Sequence, residues 1–241
     1  MARQEISLCC WNVNWAKPGS PRAAPIASAI KRLRPDILCM CEGYTGFDET
    51  GHWIASGADY GYGDTRGRRK IMLWSREPWR DVNAIGHSSL PPGRFIAGTT
   101  DTNCGPVHVM GLAIPWAMAH VATGQKNRNP WQDHMRYLDH VPDILANRPP
   151  AVPLIVTGDF NQRVPRGRQP KAVFEKLSEV FLGAVDLWTA GEITGADRQP
   201  VCHIGGSSEL RPLAAGAFSR RQRSGKILND HDAVTARIAR A

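Results

Sequence analysis

The sequence predicts a mixed α/β fold, on three observations. It opens with a strand, a helix and a second strand; its middle is a series of short apolar runs punctuated by Gly and Pro; and from Pro130 it returns to helical spacing on both sides of a further apolar run.

Each element follows from its residues. Glu5 to Val13 reads as a buried strand. Ser20-Pro21 starts a helix whose apolar face is Ile26, Ile30 and Leu33, and Arg34-Pro35 ends it, because proline lacks the N–H that a further turn needs. Asp36 to Cys41 is apolar on both faces, the pattern of a central strand covered on two sides, and Glu42 closes it. Lys70 to Arg76, Arg94 to Thr100 and Val107 to Ile114 are predicted strands, set apart by Pro91-Pro92-Gly93 and Gly105-Pro106. Trp131, Met135, Leu138 and Leu145 share the face of a helix that Pro142 kinks or divides. Val152 to Thr157 is another strand, followed by a helix with Val173, Leu177 and Val180 or Phe181 inward and Gly183 as its stop. Val201 to Gly205 and Ala233 to Ile238 complete the strands. No repeat, low-complexity tract or long linker divides the chain, so residues 1–241 are expected to form a single domain.

At 241 residues the chain can bury about 70 to 75% of its unfolded surface. A hydrophobic content of 42% argues for a globular protein rather than a disordered one, and no apolar run reaches bilayer length. The first residues carry no signal-peptide core, which makes a cytoplasmic address, with no membrane partner, the expectation. Six cysteines in a reducing compartment then read as small buried hydrophobes. A zinc site built from Cys9, Cys10, Cys39 and Cys41 is the sharper alternative. The formal charge of +8, mostly arginine, points to a polyanionic partner.

Chemistry-bearing residues sit where strands end, so that distant parts of the chain can converge. Asn12 follows the first strand, Glu42 the second, Asp159 and Asn161 the strand from Val152, and Asp230-His231 precede the last. A hard carboxylate suits magnesium, a carboxamide suits a phosphate oxygen, and a second carboxylate can hold a water; together they suit metal-assisted phosphoryl transfer. Each residue alone also has a plain structural reading as a turn former, a strand-end hydrogen bonder or a solvated acid.

Four segments in order, CCWNVNW, RPDILCMCE, TGDFNQ and LNDHDAV, resemble the endonuclease/exonuclease/phosphatase superfamily, from Cys10 to Val234. The resemblance implies a four-layered α/β sandwich, two mixed β-sheets packed face to face with helices outside. It also implies hydrolysis of phosphodiesters or phosphomonoesters with magnesium or manganese. Carried over, Glu42 is the principal metal ligand with Asn12 and Asp230 nearby; Asp159 orients and deprotonates the attacking water on a metal-held phosphate; Asn161 holds a phosphate oxygen; and His231 stabilises charge or exchanges a proton.

Two family positions differ. A histidine expected after the central strand falls at Ala113 or Ile114, with His120 or His134 as conceivable substitutes. The acid that orients the final histidine falls at Cys202, with Asp186 or Asp197 as conceivable substitutes.

Arginine-rich stretches flank these motifs: Arg66 to Lys70; Arg163, Arg166 and Arg168; and Arg220, Arg221 and Arg223. They suit the rim of a cleft along which a phosphate backbone runs. Trp116 and Trp131 are candidate stacking surfaces for bases. The expected function is a metal-dependent phosphodiesterase, a nuclease on DNA or RNA, monomeric by default. A catalytically weakened nucleic-acid-binding module and a phosphomonoesterase on a small metabolite are the alternatives.

Overall fold

The computed structural model describes residues 4–47, 50–63, 66–181, 183–222 and 224–241, so that Arg223 lies outside the described residues. The chain begins with β1 (Ile6–Asn12), α1 (Ala23–Leu33) and β2 (Ile37–Tyr44), then β3 (His52–Ala55), β4 (Arg68–Ser75), β5 (Trp79–Asn83), β6 (Phe95–Thr100) and β7 (Val107–Ala113). Two short helices follow, α2 (Gln132–Asp139) and α3 (Val141–Ala146), then β8 (Leu154–Asp159) and α4 (Lys171–Phe181). The chain ends with β9 (Asp186–Leu187), β10 (Cys202–Gly206), β11 (Leu210–Phe218) and β12 (Ala233–Arg240).

These strands make two six-stranded sheets, ordered β11-β12-β1-β2-β4-β3 and β5-β6-β7-β8-β10-β9. Each sheet is antiparallel except for one central parallel pair, β1 with β2 and β7 with β8. Between the sheets lies an apolar layer containing Ile6, Leu8, Ile37, Ile71 and Leu73 from one side and Ile96, Val107, Val109, Ile155 and Ile204 from the other. The second sheet buries its outer face under α2, α3 and α4, and the first buries its own under α1. This is the four-layered sandwich that the motifs imply.

Local chemistry explains the boundaries. In α1 the buried residues are Ala23, Ile26 and Ala29. The helix stops at Arg34, whose left-handed backbone (φ 47°) returns its N–H to the Ile30 carbonyl just before Pro35. Pro142 does divide the next helical stretch, standing in the first turn of α3. The buried face of α2 differs from the predicted one. Asp133, His134, Tyr137 and Leu138 point inward, while Trp131 stands ahead of the helix with a positive φ of 67°. Polar residues can face the core here because each has a partner: Asp133 accepts from Arg128 at 2.7 Å, and the Tyr137 hydroxyl donates to the Arg94 carbonyl at 3.0 Å.

The fully buried His134 is the latch between this helix and two loops. Its Nδ1 lies 2.7 Å from the carbonyl of Pro115 and its Nε2 lies 2.7 Å from the carboxamide nitrogen of Gln162. One ring nitrogen must donate and the other accept, so the ring is required neutral. Burial pushes its pKa down to about 4, with the Pro115 hydrogen bond pulling weakly the other way.

The six cysteines are free and buried. Cys10, Cys39, Cys41 and Cys202 face the layer between the sheets, whereas Cys9 points to the α1 side. Alternation along β1 therefore takes Cys9 away from Cys10, Cys39 and Cys41, whose sulfur atoms lie within 4.8 Å of one another.

Two outcomes follow. His134 in the unfolded chain takes up a proton as pH falls through about 6.5, while the folded imidazole resists until about 4. Stability present above the first value is thus lost toward the second. At about pH 5 this one group should cost about 2 kcal/mol relative to neutral pH. Urea titrations should show it, with a flatter pH dependence for His134→Gln; an unchanged slope in the variant would contradict the assignment. The native protein should also leave its thiols untouched by Ellman's reagent until denaturant is added, and rapid labelling of the folded chain would contradict their burial.

Candidate active site

The C-terminal ends of the two parallel strand pairs meet across the sandwich, and the polar residues of all four motifs line one cavity there. It has a volume of about 200 Å³ and is walled by Asn12, Glu42, Asp159, Asn161, Asp230 and His231, with Lys70, Arg94, Cys41, Ala113, Ile114 and Trp116.

The segment TGDFN shows how the chain builds its part of this wall. Gly158 has φ 148° and passes so close to β7 that a Cβ on it would stand 1.9 Å from the Leu112 carbonyl oxygen, so only glycine fits. Asp159 ends β8 and is buried. Phe160 turns the other way, is fully buried, and stacks on Phe181 at 5.3 Å between ring centroids. Burying such a ring contributes about 2 kcal/mol and anchors the turn. Asn161 then takes a left-handed conformation, φ 52°, which asparagine tolerates better than most residues. Its backbone N–H donates to Asp159 Oδ1 at 3.0 Å, and its Nδ2 donates to the Ile114 carbonyl at 2.8 Å.

Asp159 is held from both sheets. Asn12 Nδ2, from the end of β1, donates to Asp159 Oδ2 at 2.8 Å, and both side chains are buried. The Asn12 oxygen accepts from the Asn14 N–H at 2.8 Å. Burial raises the Asp159 pKa above the ordinary carboxylate value; His231, the Asn12 hydrogen bond and the Asn161 N–H oppose the rise, while Glu42 adds to it.

Glu42 stands within β2 rather than at its end. It carries a positive φ of 51° between the paired residues Cys41–Ile71 and Gly43–Arg69, opposite Lys70. A left-handed backbone at a non-glycine residue costs roughly 1 to 2 kcal/mol, a strain concentrated on a residue of the cavity wall.

His231 is held through its backbone carbonyl, which accepts from Trp11 Nε1 at 3.1 Å. Its Nδ1 lies 3.6 Å from Cys202 Sγ, and its Nε2 lies 3.9 Å from Asp230 Oδ2. The thiol therefore occupies the place considered for an acid. Asp197 is instead paired with Arg220 and Arg221, and Asp186 lies on β9 away from the cavity. His134 is committed to its latch, and His120 packs on Tyr62 with 4.5 Å between centroids. Neither histidine lines the cavity.

Arg94 and Asn229 are cavity or support residues that sequence reasoning missed, and Lys70, expected on a basic rim, stands in the cavity wall itself. The Arg94 side chain is buried beside Ala113, and its Nη2 has no hydrogen-bond partner among the described residues. A buried guanidinium stays charged, so this is an open cationic donor in the cavity wall. Lys70 Nζ lies 2.7 Å from Glu42 Oε1. Asn229 donates to the backbone carbonyl of Asn12 and accepts the Asp230 N–H at 2.8 Å, tying the Asp230-His231 loop to β1. The one available signal was a charged residue, Arg94, opening an otherwise apolar strand.

The predicted substrate contacts are placed unevenly. Trp116 lines the cavity and is 46% exposed. Arg163 lines an adjoining cleft that shares His231 with the cavity, and its Nε donates to the Gln199 carbonyl at 3.3 Å. Arg166 and Arg168 are exposed on the same loop. Arg221 is held by Asp197 at 2.6 Å.

The donor set fits a hard divalent cation. Glu42, Asp159 and Asp230 supply oxygen ligands around one cavity, and a lysine ammonium already occupies a cation's position against Glu42. Of the groups of three among the described residues whose ligand atoms lie within 4.8 Å of one another, the one that reaches this cavity is Asp159, Cys202 and His231.

Comparison with known proteins agrees with this architecture. A search of curated sequences finds no significant match. Among solved structures, an AP endonuclease from Archaeoglobus fulgidus superposes with a TM-score of 0.69 at 18% identity, covering 96% of this chain and 98% of its own. The human Nocturnin catalytic domain with bound sulfate gives 0.69 at 16% identity, covering 99% and 96%. D. rerio TDP2 complexed with single-strand DNA product gives 0.68 at 13%, covering 97% and 98%. No helix among the described residues is long and apolar enough to cross a membrane. The sequence profile of the Endonuclease/Exonuclease/phosphatase family matches residues 9–200, most of the chain. With its fold and its sequence in agreement, the chain belongs to that family, and phosphoester hydrolysis is the class of reaction its membership supports.

Proposed function

We propose that this protein is a phosphodiesterase that cleaves nucleic acid, with magnesium or manganese held at Glu42. The observation that carries the reading is the convergence of Glu42, Asp159, Asn161 and His231, from four separate segments, on one cavity. When bound, the divalent ion supplies Lewis-acid charge at the phosphoryl group. The side chains supply the rest.

Asp159 is the base. Each of its oxygens already accepts one hydrogen bond, Oδ2 from Asn12 and Oδ1 from Asn161, and each keeps lone-pair capacity for a water. Its raised pKa makes it a stronger base than an exposed carboxylate. Asn161 keeps a second amide hydrogen on Nδ2 for a phosphate oxygen, beside the unpaired Nη2 of Arg94. The Arg94 guanidinium thus takes the phosphate-binding part that neither Ala113 nor Ile114 can play. His231 faces the cavity with its imidazole against a thiol rather than a carboxylate, which leaves charge stabilisation or proton exchange to an imidazole without a fixed anionic partner at Nδ1. Nucleic acid as substrate is supported by the exposed Arg166 and Arg168 on the loop that follows Asn161, the stacking face of Trp116 and the single-strand DNA product in the similar D. rerio TDP2.

The contact between His231 and Cys202 favours a second reading, a weakened enzyme that chiefly binds nucleic acid. That version gives salt-sensitive retention of oligonucleotides with no turnover under any divalent metal.

The two readings separate on a bis-aryl phosphate, a monoester and a labelled single-stranded oligonucleotide, each assayed with magnesium and with manganese. Metal-dependent diester cleavage is expected, and Glu42→Ala and Asp159→Ala should each lower it on the order of a thousand-fold. Wild-type rates in either variant, or a preference for the monoester, would reject the proposal. Arg94→Gln should lower kcat/KM about a hundred-fold with partial recovery in Arg94→Lys. Equal rates in all three proteins would remove Arg94 from the phosphate site.

A further inference from the structure

We propose that the Lys70 ammonium is a built-in cation that occupies Glu42 until a divalent metal displaces it, so that the metal and Lys70 exclude each other at this carboxylate. The inference rests on reading Glu42 as a metal ligand.

Register fixes the pairing. Lys70 on β4 stands across from Glu42 on β2, and its Nζ lies 2.7 Å from Oε1, with the two side chains 12% and 24% exposed. Water therefore does little to screen the pair. An ammonium offers donors only and cannot join a coordination shell. A dication on the same carboxylate would meet a like charge at contact distance, so one cation must leave.

The surroundings give the ammonium somewhere to go. Nζ lies 5.1 Å from the ring of Trp15, 5.5 Å from that of Tyr60 and 6.0 Å from that of Tyr62. Trp15 and Tyr60 are themselves stacked, 5.6 Å apart and inclined by 19°, and the backbone N–H of Trp15 donates to the Glu42 carbonyl at 2.7 Å. Three aromatic faces hold the charge near the cavity after it leaves the carboxylate. There it lines the same cavity as Arg94 and Asn161, where an anion would lie. Metal entry at Glu42 thus frees a positive group for the substrate side of the cavity.

Manganese binding to the whole protein, measured by water-proton relaxation or calorimetry without substrate, tests this apart from activity. Lys70→Gln should tighten binding about ten-fold, because the competing cation is gone. Arg68→Gln removes a charge over the Trp15 ring whose Nε donates to the Tyr44 hydroxyl; it should leave the affinity within about two-fold. Unchanged or weaker binding in Lys70→Gln would overturn the proposal, as would equal tightening in Arg68→Gln, which would mark a general charge effect. On the unmodified protein, magnesium should shift the Lys70 side-chain NMR signal, and a signal that stays put while the metal binds would equally overturn it. Glu42→Gln separates the two levels of argument. If it leaves manganese affinity intact, Glu42 is not the metal ligand; if it abolishes binding while Lys70→Gln changes nothing, the displacement alone fails.

Discussion

One buried hydrogen bond joins the two sheets where the chemistry collects. Asn12 ends β1 in the first sheet, Asp159 ends β8 in the second, and the 2.8 Å contact between them has no access to solvent worth the name. A charge-assisted bond in such surroundings contributes about 1.5 to 3 kcal/mol, and leaving its carboxylate unpaired would cost more than its formation gains. The apolar layer between the sheets is not directional; this bond is, and it helps select one alignment. It also sets the orientation of the carboxylate, since the Asn161 N–H fixes the other oxygen. Packing brings the sheets together, and polar pairs such as this one and the buried Ser75–Thr100 contact at 3.1 Å fix how they are aligned.

The fold was legible wherever an apolar run carried its own punctuation. The opening strand, helix and strand, the divided helices about Pro142 and the strand before Gly158 all follow from periodicity and from proline and glycine chemistry. Strands that failed this test were the edge strands β3, β5, β9 and β11. β11 holds Pro212, Gly216 and a run of exposed residues, and its pairing with β12 slips between Pro212 and Ala214. A proline can sit there only because the strand lies at the sheet's margin, and no local pattern announces that. β3 and β5 are short and half-exposed for the same reason. The inward face of α2 was misread because partners far away in sequence, Arg128 aside, make its polar residues acceptable in the core.

The cavity divides in the same manner. Asn12, Glu42, Asp159, Asn161, Asp230 and His231 could be named as candidates because each is a polar residue at the edge of an apolar run, and the order of the motifs linked them. Arg94 could not, because a cation before a strand reads as part of a solvated face, and Lys70 was legible only as part of a basic rim and not as the partner of Glu42. Their meaning lies in register: one stands across from Glu42, the other beside Ala113. The basic composition was likewise only partly informative. Asp197 holds Arg220 and Arg221, and Arg68 rests on the rings of Trp15 and Tyr44, so the net charge overstates the positive surface offered to a polyanion.

The strand order carries a consequence for biosynthesis. β12 is inserted between β11, which precedes it directly, and β1 from the other end of the fold, while the Trp11 to His231 and Asn12 to Asp159 contacts span 220 and 147 positions along the chain. Contacts of such separation form late, because loop closure must precede them. A polypeptide still emerging from the ribosome has Asn12 and Glu42 in place long before His231 exists. The cavity is therefore walled only once the ends of β1 and β2 and the loop before β12 have met.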